Sequence, residues 1–154
     1  PFETTRVAIN LIFKGVMERY PNIQFILSHA GGTLPFLAHR IAIFDKLTPF
    51  GDNYPNGALA SIKQFWFDTA LSGDSVPLAG LTSLADKSRI LFGTDYPYIP
   101  GDKVTDETKG FDNWDGFSDV ERKVVNRKSA ERLFPKFAGS SSQFSSVNCK
   151  ATTI

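Results

Sequence analysis

The sequence predicts an α/β fold with a parallel sheet, because three short apolar runs are separated by helical patterns. Residues 23–27, 65–71 and 89–95 are dense in Ile, Leu, Phe and Trp, as strands are. Between them apolar residues recur every three to four positions, so the predicted order is strand, helix, strand, helix, strand. The first and third runs stop on polar groups, Ser28-His29 and Asp95. In α/β folds chemistry collects at such strand ends.

Taken in order, the chain opens with Pro1-Phe2-Glu3-Thr4-Thr5 and then spaces Ala8, Leu11, Ile12, Gly15 and Val16 as one buried helix face, ending before Pro21. An α/β chain should bring such a helix in from an earlier strand, so an upstream strand is expected. Ile23, Phe25, Ile26 and Leu27 form an almost unbroken apolar run, the pattern of a strand buried on both faces. Gly31 and Gly32 allow a tight turn, Thr33 stands at a cap position and Pro35 in the first turn of a helix over 34–46. Leu37, Ile41 and Phe44 are expected on its buried face, with Arg40 beside them.

Residues 48–56 are rich in Pro, Gly, Asp and Asn and read as a loop. The second strand run carries Asp68 in its later half, and 76–85 predicts a short helix with Pro77 in its first turn. Residues 96–117 read as a long connection with Tyr98, Phe111 and Trp114 among five acidic residues. Ser118 and Glu121 have capping-box spacing and start a helix, and a further helical pattern runs through Ala130, Leu133 and Phe134 to Pro135. Residues 1–137 are therefore expected to form the folded portion, and the Ser-rich residues 138–154 a disordered tail.

Composition narrows the function classes. With 154 residues, 42% hydrophobic and 21% charged, the chain has the makeup of one globular domain. Seventeen basic and sixteen acidic side chains give a net charge of +1 with no long basic block, which argues against nucleic-acid binding. No apolar run is long enough to span a bilayer, and the single cysteine, Cys149, cannot pair within the chain. A reducing, cytoplasmic setting is the expectation.

Two constellations carry candidate chemistry. His29, in Ser28-His29-Ala30-Gly31-Gly32, places an imidazole at a strand end, where it can exchange protons or bind a metal near neutral pH. Asp95, in Phe92-Gly93-Thr94-Asp95-Tyr96-Pro97, places a carboxylate at the mouth of the same predicted sheet. Each also has a structural interpretation, a hydrogen-bonded histidine and a turn-capping aspartate. His39, beside Arg40 on the predicted helix, reads as a surface or interface side chain, and Asp68 as a structural hydrogen-bond acceptor that could line the site.

Together these segments resemble the metal-dependent amidohydrolase superfamily, in the branch of aminocarboxymuconate-semialdehyde decarboxylase and the hydroxybenzoate decarboxylases. The residues that carry the resemblance are Glu3-Thr4-Thr5, Ser28-His29-Ala30-Gly31-Gly32 with Leu34-Pro35 and Arg40, Phe67-Asp68-Thr69, and Phe92-Gly93-Thr94-Asp95-Tyr96-Pro97. The resemblance implies the C-terminal half of a (β/α)8 barrel, with His29 after strand six, residues 65–71 as strand seven and Asp95 after strand eight. It implies metal-dependent, non-oxidative decarboxylation of a small aromatic acid of the hydroxybenzoate type, 6-methylsalicylate among the candidates.

In that scheme a divalent metal, zinc first and manganese or magnesium as alternatives, is held partly by Asp95. His29 is the proton-transfer residue, and Asp95 is a ligand that can pass a proton too. Arg40 matches an arginine that reaches a neighbouring subunit to bind a substrate carboxylate, which implies a homodimer. The family's other metal ligands, a His-x-His on strand one and a His after strand five, do not fall in this sequence and are expected upstream of Pro1. Two alternatives stay open: a hydrolase or hydratase on the same barrel, and a non-catalytic half-barrel serving as an interaction piece.

Overall fold

The computed structural model describes residues 1–46, 49 and 51–139. Strands β1 (Ile26–Leu27), β2 (Trp66–Asp68) and β3 (Ile90–Leu91) form one parallel sheet in the order β1-β2-β3. Leu27 lies opposite Phe67, and Phe67 opposite Ile90; Ile26 faces Trp66, and Asp68 faces Leu91. Because side chains alternate along a strand, Leu27, Phe67 and Ile90 share one face and Ile26, Trp66, Asp68 and Leu91 the other. The first face lies in the core, where Phe65, Phe67 and Ile90 are fully buried.

Helices fill the connections. They are α1 (Phe2–Phe13), α2 (Val16–Arg19), α3 (Leu34–Ile43), α4 (Ala58–Ile62), α5 (Ser75–Leu84), α6 (Gly101–Asn113), α7 (Asp119–Lys123) and α8 (Ser129–Leu133). α1 buries Thr5, Ala8 and Ile12, α3 buries Leu34, Ala38 and Ile41, and α5 buries Leu78, Leu81 and Leu84, each set at helical spacing. α3 packs against α4 and α5, and α1 against α4. None of the helices among the described residues is long and apolar enough to cross a membrane.

Several local expectations change. The first run is not buried on both faces: β1 is an edge strand of the described sheet, Ile26 on its second face is exposed, and so is Ile23 ahead of the strand. On the same face Trp66 is buried instead, since the Arg89 and Arg132 guanidiniums lie 5.2 and 5.3 Å from the centre of its ring. The first helix breaks at Gly15, whose φ of 62° suits glycine and whose Cβ position would lie 2.8 Å from the Asn53 carbonyl oxygen. Phe44 falls beyond the end of α3, in a 3₁₀ turn, and is exposed rather than core.

The largest correction concerns 96–117, which contains the thirteen-residue helix α6 rather than a continuous loop. Phe111 is its one buried anchor, edge-on to Phe92 at 5.3 Å. Arg122 then donates to the carbonyls of Phe111 at 2.5 Å and Trp114 at 2.6 Å, satisfying acceptors that the helix end leaves open. Residues 119–133 run as one helical rod through a π-turn at Val124–Lys128, where two separate patterns were expected. Of the predicted tail, Ala138 and Gly139 form a turn, and residues 140–154 lie outside the described residues.

The capping box forms as predicted: the Glu121 N–H donates to Ser118 Oγ, and the Ser118 N–H to Glu121 Oε2. The Lys87 ammonium, 2.9 Å away, and the two Ser118 donors hold the Glu121 carboxyl down from its ordinary 4.5 to about 2. A carboxylate lowered on folding adds stability above its unfolded pKa and loses it as the pH falls through the folded one. This contribution is therefore full above about pH 4.5 and fades toward about pH 2. Glu121→Gln is expected to flatten that part of the acid-unfolding profile, checked by thermal midpoints across the same window; a parent-like slope would count against this role.

Candidate functional site at the strand ends

The three strands run parallel, so their C-terminal ends lie side by side at one end of the sheet. After β1 the chain leaves the extended region at once: His29 and Ala30 have φ of 57° and 55°, followed by Gly31 and Gly32, also left-handed. A Cβ on Gly31 would sit 2.9 Å from Phe67 Cε1, so the turn needs glycine to lie this close to the buried ring. Left-handed geometry costs an ordinary residue about 1–2 kcal/mol, so His29 needs partners to hold it there.

Those partners come from the end of β2. The His29 backbone N–H donates to Asp68 Oδ1 at 2.9 Å, and the same oxygen accepts the Ala70 N–H at 3.1 Å. His29 Nδ1 lies 3.1 Å from the Ala70 carbonyl oxygen, which also accepts from Ser72 Oγ at 3.1 Å. From the other side Thr5 secures the turn: its buried hydroxyl accepts the Thr33 N–H at 2.8 Å and pairs with Thr33 Oγ1 at 2.9 Å. Thr33 therefore occupies the N-cap position of α3 while its hydroxyl pairs with Thr5 instead of capping.

β3 is tied to the same place. Thr69 Oγ1 accepts the Gly93 N–H and donates to the Gly93 carbonyl, both at 3.1 Å. A Cβ on Gly93 would lie 3.4 Å from Asp68 Cβ, so Asp68 sits between the His29 turn and the Gly93-Thr94-Asp95 strand end. Asp95 is half-buried with φ of 66°, and its carbonyl accepts the Tyr98 N–H at 2.9 Å. Arg40 and His39 stand apart on the exposed side of α3, and Arg40 has no ion-pair partner among the described residues.

A groove of about 270 Å³, lined by Pro1, His29, Gly32, Leu71, Ser72 and Pro77, opens beside the imidazole. A larger apolar groove of about 380 Å³ runs between α3 and α5, past Phe36 and Val76, and holds neither His29 nor a carboxylate. Among the described residues no group of three or more His, Cys, Asp or Glu side chains is placed to hold a metal. These residues therefore do not form a complete metal site by themselves. What they place at one end of the sheet is a held imidazole after β1 and a half-buried aspartate after β3, with Asp68 tying the end of β1 to β2 and Thr69 tying β2 to the end of β3.

The amidohydrolase family profile matches residues 2–136. The chain belongs to the amidohydrolase family. Among curated members of this family it is 36% identical over 140 residues to 6-methylsalicylic acid decarboxylase of Penicillium expansum, an alignment covering 90% of this chain and 43% of that protein. Among solved structures it is similar to an amidohydrolase II, at 28% identity and a TM-score of 0.77, covering 86% of this chain and 42% of that one. It is also similar to 2,6-dihydroxybenzoate decarboxylase complexed with 2,6-dihydroxybenzoate, at 26% identity and a TM-score of 0.71, covering 85% of this chain and 40% of that one. The chain thus spans about two fifths of the length of the relatives it matches, and its fold is part of their (β/α)8 barrel.

Proposed function

We propose that this segment supplies the proton-transfer side of a non-oxidative decarboxylase for a small aromatic acid of the hydroxybenzoate type. The observation that carries the proposal is the backbone geometry. Of the four non-glycine residues at positive φ among the described residues, two are His29 and Asp95, and the other two, Ala30 and Leu71, flank the same strand ends. Strained backbone of this kind concentrates at functional sites. The named activities of the Penicillium relative and of the dihydroxybenzoate decarboxylase support the reaction class.

In this proposal the bond between the ring carbon and the carboxylate carbon breaks, and CO₂ leaves. The electron pair stays on the ring carbon and takes a proton from His29, which is recharged from solvent, so one proton is consumed for each CO₂ and no oxidant is needed. Arg40 binds a substrate carboxylate across the interface of a homodimer, working in the cytoplasm. Asp95 would be this segment's ligand to a divalent metal, zinc first and manganese or magnesium otherwise, which when bound would supply an electrophile. The described residues do not complete its site.

The test is CO₂ release by the native full-length protein from 6-methylsalicylate and 2,6-dihydroxybenzoate, with benzoate as control and a lactone for the hydrolase alternative. Release is expected only from the 2-hydroxylated acids, whose hydroxyl feeds electron density to the carbon being protonated, and a chelator should lower it. Lactone opening with no CO₂ from either acid would overturn the proposal in favour of hydrolysis.

A further inference from the structure

We infer that Asp68 is a positioning residue, one that fixes the backbone of His29 and, through Ala70, the tautomer of its ring, so that Nε2 is the nitrogen that transfers the proton. This rests on the proposed role of His29 in proton transfer. Among the described residues Asp68 makes no hydrogen bond to the imidazole. Its Oδ1 takes the N–H of His29 at 2.9 Å and that of Ala70 at 3.1 Å, joining the end of β1 to the end of β2 through one atom. The distance between the His29 backbone and the Ala70 carbonyl is set by that joint.

The tautomer follows from the partner's chemistry. A carbonyl oxygen only accepts, so the 3.1 Å approach of His29 Nδ1 to the Ala70 carbonyl places the proton on Nδ1. In the neutral ring Nε2 then carries the lone pair, and in the protonated ring it carries the proton that can leave. Among the described residues Nε2 has no hydrogen-bond partner, so it is free to meet a substrate. Ser72 Oγ donates to the same carbonyl, and Ser72 N–H to the Thr69 carbonyl at 2.9 Å, which keeps that oxygen aimed at the ring. Leu71, at φ of 49°, bends the chain between these two anchors.

The experiment reads the ring nitrogens of the chain labelled with ¹⁵N-histidine, at a pH where the imidazoles are neutral, with exposed His39 as internal reference. His29 is expected to be protonated at Nδ1 and bare at Nε2. Asp68→Ala should shift it toward the mixture that His39 displays, whereas Asp68→Asn, which keeps an oxygen for both N–H donors, should retain the parent pattern. Should the alanine variant not fold, Asp68→Ser serves: it can still cap the local turn to Ala70 but is too short to reach His29. In the decarboxylation assay the tautomer-shifting variant should lose about 10²-fold in kcat with KM changed much less, and Asp68→Asn should recover most of that loss. Parent His29 protonated at Nε2, or a parent-like tautomer in Asp68→Ala or Asp68→Ser, overturns the inference. The tautomer is read without turnover, so an inactive protein with this tautomer would sink the proposed reaction and leave the role of Asp68 standing.

Discussion

His29→Ala is expected to slow CO₂ release by about 10²-fold or more, the usual contribution of a positioned general acid, while leaving the fold in place. Two features separate lost chemistry from lost structure at this position. The tie from residue 29 to Asp68 runs through the backbone N–H, which alanine keeps. The left-handed φ of 57° is open to alanine at a cost of about 1–2 kcal/mol, much of which histidine already bears, so the turn gains little new strain. What disappears is the imidazole with its contact to the Ala70 carbonyl. His39→Ala, on the exposed side of α3, controls for loss of a histidine as such and should keep parent activity. Full turnover in His29→Ala, on an acid the parent decarboxylates, would remove His29 from the mechanism.

How far the sequence announced this arrangement depends on the range of the interaction that settled each part. Strand order and the ends at His29 and Asp95 were legible because apolar runs and the polar groups that stop them are local signals. Two of the helix starts were equally legible: Ser118 and Glu121 close their box as spacing predicts, and α5 begins two residues before Pro77. α6 was not, because in thirteen residues only Phe111 is buried, and its partners, Phe92 and Arg122, lie elsewhere in the chain.

The site follows the same division. His29 and Asp95 stood out by their place at strand ends, but Asp68, Thr69 and Thr5 act through hydrogen bonds to residues 24 or more positions away. The one local hint was that Asp68 and Thr69 close the second apolar run with polar groups, as Ser28 and His29 close the first. Ile26 was misjudged for the opposite reason. An apolar run states that a strand is suited to burial, while exposure depends on which neighbours cover it, and β1 stands at the sheet edge.

Phe67 is where the packing and the site meet, and Phe67→Ala is expected to lower unfolding free energy by about 3–5 kcal/mol. Its side chain is fully buried on the central strand, between Leu27 and Ile90 in the register, so neighbouring strands cannot easily close over the cavity left behind. Its ring also lies directly under Gly31, close enough that even a Cβ there would clash, so truncation removes the floor of the His29 turn. Against a stability of about 5–15 kcal/mol for a typical domain, that loss is large enough to populate the unfolded chain under mild denaturant. Urea unfolding followed by tryptophan fluorescence measures it, since Trp66 is next in the strand. Phe36→Ser, at a side chain 89% exposed, is the control and should stay within about 0.5 kcal/mol of the parent. A Phe67→Ala loss below about 1 kcal/mol would mean that the sheet's helix-covered face is not the core of this chain, and that the turn holding His29 rests on its hydrogen bonds alone.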